Sequence, residues 1–169
     1  MRKLVALSVL TFACVSLLWM PKARTAANDE AQIRQLIDRW AKAFRAKDLN
    51  AIMSIYQPGE ALVAFDLVPP LQYLGSDAYK KDYQDFLAQY QGAIDVEIRD
   101  LSITTGDGVA FSHSLERISG TMANGQKSDL WVRATDCYRK INGHWLVTHE
   151  HISVPVDLDS GKAVLNLKP

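Results

Sequence analysis

The chain has 169 residues, 48% of them hydrophobic and 22% charged, and its formal net charge is zero. That length supports one globular domain with a sizeable core, and the even charge balance argues against nucleic acid or a charged membrane surface as partner. No repeat, low-complexity tract or Pro/Gly-rich linker divides it.

At the N-terminus, Arg2-Lys3 precedes the apolar run Leu4 to Met20 and the small residues Thr25-Ala26-Ala27. A charged start, an apolar segment and a small-residue cleavage site predict an export signal over residues 1–27, cut near Ala27 to release a periplasmic or secreted chain. The alternative is an uncleaved membrane anchor. Removal of Cys14 with the signal leaves Cys137 alone, so no intrachain disulfide is expected. A lone cysteine without an activating partner reads as a packing residue.

Residues 28–157 are expected to form the domain, and 158–169 a C-terminal tail. Asn28-Asp29 can cap a helix whose apolar positions Ile33, Leu36, Ile37, Trp40, Ala41 and Phe44 fall three and four apart. Lys47-Asp48 breaks it, a short helix carries Leu49, Ile52, Met53 and Tyr56, and Pro58-Gly59 ends that one. A short strand from Ala61 closes at Asp66, before a loop with Pro69-Pro70. A third helix runs from Ser76 to about Tyr90, with Tyr79, Tyr83, Phe86, Leu87 and Tyr90 on one face.

Past Gly92 the period becomes two. Ile94, Val96 and Ile98 alternate, and Leu101 and Ile103 continue out of phase, which predicts a bulge near Arg99-Asp100. Gly106-Asp107-Gly108 is a turn, Val109 to Met122 a long strand, and Asn124-Gly125 a hairpin signal. Ser128 to Lys140 and Trp145 to Val154 complete a meander. The expected fold is α+β: three N-terminal helices packed on a strongly curved, mostly antiparallel sheet that encloses a conical pocket.

Two carboxylates interrupt the apolar faces of the last strands. Asp136 shares a face with Leu130, Val132, Ala134 and Tyr138. A three-residue loop with a glycine bulge puts Glu150 and Thr148 on that side, whereas a two-residue Asn-Gly turn puts His149 and His151 there. The three-residue loop is preferred because it merges the more aliphatic faces. A carboxylate in an apolar cup must pair, bind something or hold its proton.

The helix end Ala43-Phe44-Arg45-Ala46-Lys47-Asp48-Leu49, the strand Ala61 to Asp66 with its prolines, and the hairpin Tyr138 to Trp145 leading into His149-Glu150-His151 resemble the nuclear transport factor 2-like superfamily, in particular its SnoaL-like and ketosteroid-isomerase-like branch. The resemblance spans about Ala31 to Val154. It implies the cone-shaped fold but no single activity, because that fold hosts isomerases, dehydratases, cyclases, epoxide hydrolases and assembly modules. It further implies that Asp66 matches the isomerase's general base and Asp136 its proton-holding hydrogen-bond donor. The isomerase's first-helix tyrosine is replaced by Trp40. Glu150 falls near a last-strand aspartate of the limonene-epoxide-hydrolase branch, but Ala134 stands where the arginine of that site is expected.

The remaining pocket candidates are Tyr56, Ser114, Glu116, Val132 and Tyr138, with Tyr73 and Tyr79 as aromatic additions. Ser112 shares the inward face of Ser114 and Glu116. His149-x-His151 has the spacing of a metal pair without a convergent third ligand, so no metal is expected. His113 reads as structural. Trp131 and Trp145 are placed on the convex face, the surface through which the resemblance implies a homodimer. No Ser-His-Asp order, phosphate loop or dinucleotide fingerprint calls for a cofactor. Two readings result: a cofactor-independent isomerase or lyase moving a proton on a small hydrophobic carbonyl compound, with Asp66 as base and Asp136 as acid, or a non-catalytic binding or dimeric assembly module.

Overall fold

A computed structural model describes residues 20–169, with side chains from residue 25 onward; most of the expected export signal lies outside the described residues. Helix α1 (Met20–Arg45) runs unbroken across Asn28-Asp29, where the sequence predicted a cap. The Asp29 carboxylate instead reaches across the fold, accepting from Lys140 Nζ at 2.6 Å and Trp145 Nε1 at 3.3 Å. Lys47 takes a left-handed φ of 56° and ends the first helical run. Asp48 then caps the five-residue α2 (Leu49–Met53) by accepting from Ala51 N at 3.0 Å, satisfying one of the free amides of a helix start.

Strand β1 (Val63–Phe65) is followed by a two-residue strand, β2 (Tyr73–Leu74), which the sequence did not announce, and by α3 (Ser76–Ala88). The long strands β3 (Tyr90–Thr105), β4 (Val109–Met122), β5 (Lys127–Ile141) and β6 (His144–Ser153) form the meander. A small separate hairpin of β7 (Val156–Asp157) and β8 (Lys162–Ala163) straddles the expected boundary between domain and tail. The main sheet has the order β2-β1-β6-β5-β4-β3, antiparallel throughout except that β1 lies parallel to β6.

The sheet bends where β3 slips register, between Gln91 and Ile94 and between Arg99 and Ser102, with Asp100 at a φ of 53°. Extra residues on one strand sharpen the local twist, so β3 and β4 wrap toward the helices rather than lying flat. The cup so formed is filled from α1 by Ile33, Leu36, Trp40 and Phe44 and from α3 by Tyr79, Tyr83 and Leu87, all buried.

Close packing of the rim makes one glycine necessary. A Cβ on Gly120 would lie 2.9 Å from Tyr90 Cδ1, and that ring is buried and tied by its hydroxyl to Ser128 Oγ at 3.1 Å. Overpacking of this kind costs about 1–2 kcal/mol. Gly120→Ala is therefore expected to lower the unfolding free energy read from urea titration by that amount; an unchanged value would show that the Tyr90 ring yields freely.

The last hairpin corrects the sequence reading. Ile141 pairs with His144, so the loop is the two-residue turn Asn142-Gly143, not the three-residue loop. Both residues have positive φ, 51° and 83°, the conformation that matches strand twist in tight hairpins. Tyr138 then pairs with Val147, but Cys137 pairs with His149, leaving Thr148 as a bulge whose hydroxyl donates to Cys137 O at 3.2 Å. The bulge exchanges faces midway along β6. Glu150 still lies beside Asp136, as its cross-strand partner. Trp145, expected on the convex side, is instead buried against α1 with its N–H on Asp29, and Thr148 leaves the inward face. His149 and His151 stay outside, packed against the Phe65 ring at 4.8 and 5.6 Å, with His149 Nδ1 2.9 Å from Val63 O.

Candidate functional site

The concave face of the sheet is polar in one band. Successive inward positions of β4 are Ser112, Ser114 and Glu116, paired with Asp136, Ala134 and Val132 of β5; Asp136 is in turn paired with Glu150 of β6. Register thus sets Ser112, Asp136 and Glu150 in one row across three strands, with Glu116 further along β4. Tyr56 is brought over this band because the chain after α2 pairs with β6: Gln57 N donates to Val147 O at 2.8 Å and Val147 N to Ile55 O at 2.9 Å.

Two connected chambers result. The inner, narrower one lies between Leu36, Ile37 and Trp40 of α1, Tyr56, and the carboxyl groups of Glu116, Asp136 and Glu150, with Tyr138 beside them. The outer, roomier one is walled by Phe44, Tyr83, Phe86, Tyr90 and Val132 and carries Asp66 and Asp82. Trp40, Glu116 and Glu150 line both. Of the sequence candidates, Ser114, Ser112 and Tyr73 are absent from these walls: Ser114 is buried with its hydroxyl spent on Glu116 Oε1 at 3.1 Å, and Ser112 and Tyr73 stand behind Asp136 and Asp82 as their hydrogen-bond donors. Asp66 and Asp136 are not brought together, since they belong to different chambers.

Each carboxyl has its own set of donors. Asp136 Oδ2 accepts from Tyr138 Oη at 3.0 Å and Ser112 Oγ at 3.4 Å. Glu150 Oε2 accepts from Tyr56 Oη. The Tyr56 and Tyr83 hydroxyls are 2.6 Å apart, and Trp40 Nε1 donates to Tyr83 Oη at 3.2 Å. An indole N–H can only donate, so the relay runs Trp40 to Tyr83 to Tyr56 to Glu150. The Trp40 N–H is therefore engaged with Tyr83. At the mouth, Asp66 accepts from Leu67 N, which caps the loop, and from Tyr79 Oη at 3.5 Å; Asp82 accepts from Tyr73 Oη at 2.7 Å.

No ion pair among the described residues involves these carboxyls, and burial without a counter-charge favours the protonated form. Burial, aided by the Asp136 charge, pushes Glu116 up to about 8. The same two causes hold Glu150 well above the usual carboxylate range. Burial raises Asp136 to about 6 against the pull of Tyr138 and Ser112. Asp66 also rises to about 6, through burial and the nearby Asp82, with the Leu67 amide opposing. Tyr56, Tyr79, Tyr83 and Tyr138 are all pushed upward by burial and by the facing carboxyls, so they serve as donors rather than phenolates.

Sequence reasoning missed Asp82 and the relay role of Tyr83. The signal was present in part: Tyr79, Asp82, Tyr83 and Phe86 stand at i, i+3, i+4 and i+7 of α3, so Asp82 belongs to the inward aromatic stripe.

A helix-covered curved sheet with a carboxyl-floored cup defines a cone-shaped pocket protein of the nuclear transport factor 2-like kind. The family model described as the SnoaL-like domain matches residues 33–157, and the chain belongs to that family. A crystal structure of a nuclear transport factor 2-like protein of unknown function from Pseudomonas putida KT2440 is 33% identical, with a TM-score of 0.77 over 85% of this chain and 99% of that one. A nuclear transport factor 2-like superfamily protein from Salmonella enterica is 15% identical, with a TM-score of 0.71 over 82% and 99% of the two chains. A ketosteroid isomerase-like protein from Erwinia carotovora atroseptica is 21% identical, with a TM-score of 0.62 over 73% and 93%. At those identities the last two show the fold alone. No curated protein matches the sequence.

Proposed function

We propose that this is an exported SnoaL-like pocket protein that moves a proton on a small hydrophobic carbonyl compound without a cofactor. The observation that carries the reading is the floor of the cup, where carboxyl groups without cationic partners are held at different proton affinities inside an aromatic wall. Environments that separate the affinities of carboxyls divide the work between base and acid. Asp66, at about 6, is mostly ionised at neutral pH and takes the proton. Glu150, kept protonated by burial, donates to the developing enolate oxygen. Asp136, which the resemblance makes the donor, holds its proton less firmly than Glu116 does and acts by keeping its neighbours neutral.

The test is solvent-deuterium exchange at the α-carbons of 2-tetralone and cyclohexenones, followed by proton NMR. Exchange above the buffer rate is expected, falling at least about tenfold in Asp66→Asn or Glu150→Gln. The rate should rise as Asp66 ionises through about pH 6 and decline at higher pH once Glu150 loses its proton. Saturable shift changes without exchange favour a second reading, binding without turnover. That reading is supported by Trp40, whose only N–H is already given to Tyr83. A homodimer through the convex face belongs to either reading, supported by Phe111 and Trp131, since Trp145 is taken up by the core.

A further inference from the structure

Three carboxyl groups of the cup divide their oxygens in the same way. Glu116 uses Oε1 for Ser114, Asp136 uses Oδ2 for Tyr138 and Ser112, and Glu150 uses Oε2 for Tyr56. The second oxygen of each receives no hydrogen bond from any described residue. Glu116 and Glu150 are 7% and 5% exposed, and both line the two chambers. Among the described residues, no fully enclosed side-chain oxygen or nitrogen lacks a partner, so these oxygens open onto the cavity itself.

The walls supply acceptors and aromatic rings but no positive charge. Among the described residues no lysine, arginine or histidine lines either chamber; Arg45, Arg99 and Arg117 pair with acids outside the cup. An anionic ligand would meet the Asp136 charge and no cation to offset it. A bare metal ion is a poor occupant, because no three of the acidic groups converge as ligands among the described residues. An ion that brings several donors, no acceptor and an apolar body meets each demand.

Resting on the pocket reading above, we propose that the compound this cup selects carries a basic amine. It binds as the ammonium ion at the junction of the chambers, with Glu116 Oε2 as its counter-charge and Asp136 Oδ1 beside it. The aromatic rings of Trp40 and Tyr83 are placed in the same walls, where a desolvated cation gains from ring faces. One bound positive charge releases one proton. Glu116, raised to about 8, is the group that gives it up, while Glu150, held protonated by burial and by the Asp136 charge against the pull of the Tyr56 hydroxyl, serves the carbonyl oxygen. The groups around Glu116 are Ser114 on β4, Asp136 on β5, Glu150 on β6, Trp40 on α1 and Tyr83 on α3.

The test compares cyclohexylmethylamine, cyclohexylmethanol and cyclohexanecarboxylate by titration calorimetry on the wild-type protein. The amine is expected to bind about tenfold tighter than the alcohol at neutral pH, and the carboxylate not detectably. Amine affinity should increase from about pH 6 to about pH 8.5 with proton release, as protons compete less for Glu116. Glu116→Gln should bring the amine down to the affinity of the alcohol, and Asp136→Asn should do so in part, with circular dichroism reporting the fold of each. Equal affinities for amine and alcohol, no amine binding at roughly 10 mM, or a folded Glu116→Gln that keeps the preference each overturns the inference. Ketone exchange that persists without an amine preference removes this inference and leaves the pocket reading. An amine preference without ketone exchange leaves the inference and removes the catalysis.

Discussion

Glu116→Gln is expected to make the protein more stable at pH 8, by about 3 kcal/mol, while changing little at pH 5. Glu116 has a proton affinity raised from 4.5 to about 8 by burial and by Asp136. Over that window the folded protein retains a proton that the unfolded chain has released. Stability from the protonated group is therefore complete below about 4.5 and is lost as pH rises toward 8. At about 1.4 kcal/mol per pH unit the ceiling is about 5 kcal/mol, and water entering the cup lowers it. Glutamine keeps the shape and can still accept from Ser114, but has no proton to lose.

Asp66 and Asp136, each raised from 3.8 to about 6, act in the same direction. The wild-type protein should thus lose stability steadily between pH 4 and 8. Asp129 has the opposite sign, since Arg117 holds it down to about 2, but its window closes below pH 4. Urea unfolding at pH 5 and pH 8 decides the matter. A Glu116→Gln protein less stable than wild type at pH 8 would mean that Glu116 is ionised and well paired in the fold, and the picture of a cup floored by carboxyls without counter-charges would fail.

The element order was legible because each part of the chain states its period clearly. The helix stripe from Ile33 to Phe44 and the phase slip at Arg99-Asp100 are local signals, and each appears in the structure, whereas the two-residue Asn142-Gly143 turn was passed over for a longer loop. The relation of Glu150 to Asp136 was reached by a different route. The expected three-residue loop and the observed two-residue turn differ by one residue of register, and the Thr148 bulge restores that residue. The two shifts cancel at Glu150 but not at Trp145, which lies between the turn and the bulge. Nothing in the local sequence marks Thr148 as a bulge; its hydroxyl bond to Cys137 O exists only once β5 and β6 are paired.

The site was legible as residue types and not as connections. Asp136 and Glu150 stood out because a carboxyl on an apolar face is costly. The relay from Trp40 through Tyr83 and Tyr56 to Glu150 joins α1, α3 and β6 with the chain after α2, and no spacing within one element encodes it. Asp82 was hidden by its company, because a carboxylate within a tyrosine-rich helical stripe reads as the solvated edge of that face.

Asp29→Ala should cost about 3 kcal/mol, the larger part from what it leaves behind. Asp29 is 5% exposed, and its Oδ1 is the acceptor for both the Trp145 indole and the Lys140 ammonium. Without it, the buried Trp145 N–H loses its acceptor, and an ammonium that is only partly exposed loses its counter-charge. Asp29→Asn retains an amide oxygen for Trp145 while removing the charge opposite Lys140, and the ammonium can turn toward water, so about 1 kcal/mol is expected. The ordering of the two variants is the test, because a general intolerance of change at this position would make them equal. The effect should also reach the cup: Asp29 fastens α1 to the β5–β6 hairpin, and the same helix carries Leu36, Ile37 and Trp40 into the inner chamber. Amide exchange in Asp29→Ala should therefore quicken along α1 around Leu36 and Ile37, together with the fall in the urea midpoint. An unfolding free energy within about 0.5 kcal/mol of wild type would show that the helix is held by its apolar face alone, with Asp29 a passenger on it.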